Sequence, residues 1–154
     1  MDKIIFRRLN EPFGEFSNFY PSLIRIGGKE YRTVEHYYQS MKFKDTEYEE
    51  PIRNRSTPKQ AKQLAYSEEI QRHMDKKWHQ NKLLIMGRGL SAKFQLPRFQ
   101  NILLSTGTVE IVEYSKHDYY WGRNEDGAGY NMLGKLLMEL RERIKIMEEN
   151  QKYF

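Results

Sequence analysis

The 154-residue chain contains no cysteine. This excludes a disulfide framework, a thiolate zinc site and a cysteine nucleophile. No stretch is apolar over the length needed to cross a bilayer, so no membrane partner is expected. The opening residues, Met1-Asp2-Lys3-Ile4-Ile5-Phe6-Arg7-Arg8, lack the apolar run of a secretion signal, and a cytoplasmic protein is expected. His36, His73, His79 and His117 show no metal-ligand spacing; His73 and His79 do not share a helix face. Neither a metal nor another cofactor is expected. A Gly-x-Ser-x-Gly elbow is absent, which argues against a serine hydrolase. No repeat, low-complexity tract or linker interrupts the sequence, so one domain over residues 1–154 is expected. Oligomeric state is not legible in it.

What is present is charge and aromatic surface. The net charge is +5, but residues 51–100 hold 11 Lys/Arg against 3 Asp/Glu, and the remainder is acidic on balance. A basic middle favours a phosphate-bearing partner, either a nucleotide or nucleic acid; the alternative is a solvated helix face. Aromatic residues make up 14% of the chain, enough for both a core and a surface that grips flat ligands.

Read in order, Ile4 to Phe6 forms a short strand. Asn10 to Pro21 is a turn-rich loop carrying Phe13, Phe16, Phe19 and Tyr20. Leu23 to Ile26 and Lys29 to Arg32 form a hairpin around Gly27-Gly28, because glycine supplies the positive φ of a two-residue turn. Thr33 caps a helix from Val34 to Lys44. Thr57-Pro58 opens a short helix through Leu64. Ser67-Glu68-Glu69 opens a longer one that ends near Gly87 or Gly89, with Ile70, Met74 and Trp78 at helical spacing. A helix follows Pro97 and ends near Thr106-Gly107. Thr108 to Ser115, rich in β-branched residues, is a third strand. In the last helix Leu133, Leu136, Leu137, Leu140, Ile144 and Met147 make one apolar stripe. The expected fold is mainly α, an α+β domain whose minor sheet is antiparallel.

Two segments carry chemistry. Glu35 lies in the first turn of its helix. The helix dipole there favours the charged carboxylate, while burial among rings would favour the neutral one. Glu35, Gln39 and Lys42 are spaced i, i+4, i+7, a polar stripe beside the apolar Val34, Tyr37, Tyr38 and Met41. The stripe is either a reactive face or an exposed polar edge. The second segment, Asp118 to Asn131, holds Tyr120, Trp121 and Gly122, and ends in Gly129-Tyr130-Asn131 before the last helix. Its rings suit base stacking, and a helix N-terminus suits phosphate. Equally, Trp121 suits a core and Asn131 a helix cap.

Several stretches together resemble the NADAR, or YbiA-like, family. They are Phe13-Gly14-Glu15-Phe16-Ser17-Asn18-Phe19-Tyr20, Thr33-Val34-Glu35-His36-Tyr37-Tyr38-Gln39 with Lys42-Phe43, Trp78, and Ala92-Lys93-Phe94. Further along come Leu103-Leu104 with Thr106-Gly107, Glu113, Asp118 with Tyr120-Trp121-Gly122, and Gly129-Tyr130-Asn131-Met132-Leu133-Gly134 with Leu137-Met138. They run in the family's order over nearly the whole chain. A departure follows Trp121-Gly122, where many members carry a second glycine and this chain has Arg123-Asn124-Glu125-Asp126.

The resemblance implies a mainly helical fold and an N-glycosidase. Its substrate would be a phosphoribosylamino-pyrimidine intermediate of riboflavin synthesis, or ADP-ribose on guanine in nucleic acid. In both, the bond joins an anomeric ribose carbon to nitrogen. Glu35 matches the family's acidic residue, and Asn18, Trp78, Asp118, Trp121 and Asn131 match pocket positions. Cleaving such a bond builds positive charge on the sugar, which a carboxylate stabilises while a general acid assists the leaving base. The expected catalytic residues are therefore Glu35, Lys42 and Asp118. Lys42 lies about 10 Å from Glu35 along the helix axis; it would neutralise phosphate or attack C1 of an opened ribose. Substrate contacts are expected from Asn18, Phe19, Tyr38, Gln39, Trp78, Tyr120, Trp121, Gly122 and Asn131. The rival classes are a module that binds ADP-ribose or a nucleotide without cleaving it, and a basic helical protein that binds nucleic acid nonspecifically.

Overall fold

The computed structural model describes residues 2–152. Its backbone forms two compact units. One holds the described residues up to Ser17 together with those from Phe94 onward; the other is Asn18–Lys93.

In the first unit, β1 (Lys3–Phe6) pairs with β4 (Glu110–Glu113). The pairing is parallel, with Ile4 opposite Ile111. The small antiparallel sheet that was expected is present at residues 24–31, while β1 instead joins a strand far along the sequence in parallel. Helix α6 (Met132–Gln151) packs on β4, and α5 (Pro97–Ser105) packs on α6. On α6 the side chains of Leu133, Leu137, Leu140 and Ile144 are buried, but Met147 is 61% exposed, so the apolar stripe ends one turn earlier than its spacing suggests. Phe16, in the 3₁₀ turn Gly14–Phe16, packs within 6.0 Å of the rings of Phe6, Phe13 and Phe94.

In the second unit, β2 (Ile24–Ile26) and β3 (Lys29–Tyr31) form the expected hairpin, with φ of 60° and 79° at Gly27 and Gly28. Next comes α1 (Val34–Met41), capped by Thr33, whose hydroxyl accepts from the His36 amide at 3.1 Å. It is shorter than expected. After Met41 the chain tightens into i→i+3 turns, and Asp45 takes a left-handed φ of 63°. A five-residue helix α2 (Glu49–Arg53), not anticipated from the sequence, follows. Then α3 (Pro58–Ala65) opens with a complete Thr57–Gln60 capping box.

The long helix expected from Ser67 is two elements. A 3₁₀ segment (Glu68–His73) stops at Met74, whose backbone is extended, and the Asp75 amide donates to the Lys42 carbonyl at 2.8 Å. From there α4 (Trp78–Lys93) passes through both glycines expected to end it. Gly89 is there for packing: a Cβ would sit 3.0 Å from Val34 Cγ1 and 3.1 Å from Tyr37 Cδ2. With α2, α3 and α4 packed around it, α1 is buried on nearly every side from Val34 to Ser40. No helix among the described residues is long and apolar enough to cross a membrane.

Candidate functional site

The polar stripe of α1 is not a solvated edge. Glu35 and Lys42 are each 7% exposed and Gln39 is 2% exposed. Buried polar groups persist where partners or function hold them. The Glu35 amide donates to the Asn18 carbonyl at 3.1 Å, which ties the preceding loop to the helix start. Its carboxylate Oε1 accepts from Gln39 Nε2 at 2.7 Å, the i, i+4 contact that the spacing allows.

That bond leaves Gln39 Oε1 without a partner, and Asn18 Oδ1 is likewise unpartnered although the Asn18 amide nitrogen touches Met86 Sδ at 3.4 Å. Two buried carboxamide oxygens, one beside each end of Glu35's hydrogen-bond chain, are acceptors waiting for donors. An unmet buried acceptor costs about 1–3 kcal/mol, which a hydroxyl or N–H from a ligand would recover.

Lys42 caps the C-terminus of α1 and sits among rings rather than in an ion pair. Its Nζ lies 4.2 Å from the centroid of Tyr66 and 5.5 Å from that of Tyr38. Tyr38 in turn leans on Trp78, with centroids 5.1 Å apart. Burial pushes the Lys42 ammonium down to about 8, with the Lys62 and Lys82 charges acting in the same direction and the Glu35 carboxylate against them. A lysine so placed has an appreciable neutral fraction near physiological pH, the condition for an amine nucleophile.

Phe19, also expected from the sequence, lines a cavity of about 410 Å³ with Lys59, Lys62, Gln63 and Tyr66. A second cavity, about 480 Å³, lies against Tyr37 and Met41 of α1. Lys29, part of its lining, spans Glu49 at 2.6 Å and Glu50 at 2.8 Å, so much of its charge is already neutralised. Among the described residues no three His, Asp or Glu side chains converge as a metal site would need.

The loop Asp118–Asn131 belongs to the other unit, and its polar groups are largely occupied. Asp118 Oδ1 accepts from the amides of Tyr120 and Trp121 at 3.0 and 2.9 Å, so this carboxylate shapes the turn. Tyr120 and Trp121 are half-buried and meet edge to face at 4.8 Å. Gly122 is required by close approach, since a Cβ would lie 2.8 Å from the Glu113 carbonyl. Arg123 pairs with Glu110 at 3.1 Å.

Asn131 was expected both as a pocket residue and as a helix cap, and its side chain is committed elsewhere. It is fully buried; Nδ2 donates to the Ile111 carbonyl at 2.9 Å and Oδ1 accepts from the Glu113 amide at 3.0 Å. It makes no side-chain cap bond and fastens the start of α6 to β4. Reasoning from sequence missed Tyr66, Lys59 and Lys62. Their signal was there, because 59, 62, 63 and 66 follow the i, i+3, i+4, i+7 pattern of one helix face.

Residues 5–145 match the NADAR domain family. The N-glycosidase YbiA of Escherichia coli is 40% identical over 147 residues, covering 94% of this chain and 91% of that protein. A riboflavin biosynthesis protein of Vibrio vulnificus is 35% identical over 143 residues, covering 92% of this chain and 38% of the longer protein. The NMR structure of Escherichia coli YbiA is similar with a TM-score of 0.85 and 37% identity, over 96% of this chain and 89% of that one. With the match running almost end to end, on a mainly helical fold shared with a solved relative, this chain belongs to the NADAR domain family.

Proposed function

We propose that the protein is an N-glycosidase that hydrolyses the C–N bond between ribose C1′ and an amino nitrogen, using Lys42 as nucleophile and Glu35 as proton carrier. The observation that carries this reading is Lys42, buried on the same stripe of α1 as Glu35, with its amine lowered to about 8 by that burial. The names of relatives that match over most of their length support the class of reaction.

The steps follow from the groups at hand. A ribosylamine opens to an imine at C1′. Neutral Lys42 Nζ adds to C1′, and its proton passes to the Glu35 carboxylate. Glu35 returns that proton to the departing nitrogen and then carries the second Nζ proton by the same route, so that the nitrogen leaves as a free amine while C1′ becomes an imine to Lys42. Water then adds, the lysine is expelled, and the released sugar aldehyde recloses. One water is consumed and Lys42 and Glu35 end as they began. The unpartnered oxygens of Asn18 and Gln39 suit ribose hydroxyls, and Tyr38 with Trp78 walls the nucleophile from water.

Ring opening needs an N–H on the leaving nitrogen, a feature of ribosylated exocyclic amines. The phosphoribosylamino-pyrimidine intermediates of riboflavin synthesis are the first candidates, in keeping with the name of the Vibrio vulnificus relative. ADP-ribose on guanine is the second. The protein is incubated separately with those intermediates and with an ADP-ribosylated guanine oligonucleotide. Released ribose 5-phosphate or ADP-ribose names the substrate; binding with no release from either overturns the enzymatic reading.

A further inference from the structure

The face of α3 away from its buried Ala61 and Ala65 carries one continuous stripe, Lys59, Lys62, Gln63 and, just past the helix end, Tyr66. All four are exposed, and with Phe19 they line the open cavity of about 410 Å³, whose walls are mainly apolar side-chain surface. Among the described residues neither Lys59 nor Lys62 has an ion-pair partner, in a protein where Lys29, Arg53 and Arg123 all do. Tyr66 is the shared wall. Its ring lies 4.2 Å from Lys42 Nζ and 6.0 Å from Lys62 Nζ, so the α3 lysine and the buried amine meet at one aromatic residue. Cations gathered without counter-charge repel one another, and a bound dianion relieves this.

We propose that the Lys59 and Lys62 ammonium groups, at the cavity of Phe19, Gln63 and Tyr66, hold the substrate's 5′-phosphate, so that the sugar crosses the Tyr66 edge and presents C1′ to Lys42. This rests on the N-glycosidase reading. It supplies what both candidate substrates share, a phosphate on the ribose 5′ carbon. The two ends of the site are chemically opposite: Asn18 and Gln39 offer acceptors for sugar hydroxyls, and α3 offers cations for phosphate. The phosphate also tunes the nucleophile. Lys62 opposes the charge on Lys42, and neutralising Lys62 with phosphate weakens that opposition, so the seat couples substrate recognition to the amine's protonation.

The test compares Lys59→Gln, Lys62→Gln and the double variant on the phosphorylated ribosylamine and on its dephosphorylated counterpart. Each single change raises KM for the phosphorylated substrate about 3- to 10-fold, the range of a partly exposed charge contact, and the double change raises it further. Lys59→Gln leaves KM for the dephosphorylated substrate where it was. Lys62→Gln also moves the acid limb of kcat/KM to higher pH, because a cation that holds Lys42 down is gone. An unchanged ratio of the two KM values in the double variant overturns the proposal.

Calorimetric titration with ribose 5-phosphate separates this inference from the activity it rests on. Wild-type protein that binds ribose 5-phosphate through Lys59 and Lys62 but cleaves nothing overturns the activity and keeps the seat. Cleavage with ribose 5-phosphate binding indifferent to the double change overturns the seat and keeps the activity.

Discussion

Replacing Lys42 with methionine should make the protein more stable at neutral pH while removing its activity. Methionine keeps the length and the apolar stem but not the charge. A lysine lowered from its ordinary 10.5 to about 8 binds its proton less tightly when folded than when unfolded. At about 1.36 kcal/mol per pH unit, this costs the fold roughly 3 kcal/mol at pH 7, below both values. Glu35's attraction is already contained in that figure. The contacts with Tyr38 and Tyr66 return about 0.5–1 kcal/mol each, and methionine forgoes them. The net gain for Lys42→Met is therefore about 1–2 kcal/mol, or roughly 3–6 °C in Tm for a chain of this size.

The pH dependence has a definite sign. Between about 8 and 10.5 the unfolded chain holds the lysine proton and the folded chain does not, so wild-type stability rises with pH across that window. The advantage of Lys42→Met shrinks over the same window and is gone above it. Calorimetric melts of both proteins from pH 7 to 10.5 measure the difference directly. A variant that melts below wild type at pH 7, or whose advantage is the same at both ends of the series, refutes the reasoning.

Other outcomes follow from the same geometry. Glu35→Gln should lower turnover about 10²–10⁴-fold with the fold intact, read from kcat and the far-UV circular dichroism spectrum; near-normal kcat removes Glu35 from proton transfer. For wild type, kcat/KM should rise with pH through about 8 as Lys42 loses its proton, and a profile flat from pH 6 to 9 contradicts a neutral amine nucleophile. Gly89→Ala should destabilise by up to about 2 kcal/mol in urea unfolding, because the new methyl presses on Val34 and Tyr37 by more than the roughly 1 kcal/mol that alanine gains over glycine in a helix. Asn131→Ala should cost about 2–3 kcal/mol, since it orphans the Ile111 carbonyl and the Glu113 amide; unchanged stability would mean that its two bonds do not fasten α6 to β4.

The parts of the fold written in local chemistry were legible in the sequence. Thr33 caps α1, Gly27-Gly28 turns the hairpin, and Thr57-Pro58 with Gln60 starts α3, because caps and turns act within a few residues. Features decided at long range were not. The break at Met74 depends on the Asp75 amide reaching the Lys42 carbonyl, and Gly89 continues α4 because of side chains on another helix. Nothing near Ile4 announces a parallel partner at Ile111. In the candidate site, the spacing of Glu35, Gln39 and Lys42 was visible, but their burial was not, and burial is what lowers the lysine. Asn131 shows the converse: the sequence marked the position, while the structure gives its side chain to the backbone of β4.

During turnover the Lys42 amine should bond to C1′. Sodium borohydride added to the protein while it turns over a phosphoribosylamino-pyrimidine or ADP-ribosylated guanine substrate would reduce that imine to a stable secondary amine. Peptide mass spectrometry should then find the mass of the reduced sugar on Lys42 and none on Lys42→Met. Hydrolysis that proceeds at its usual rate with no adduct on Lys42 would contradict the account.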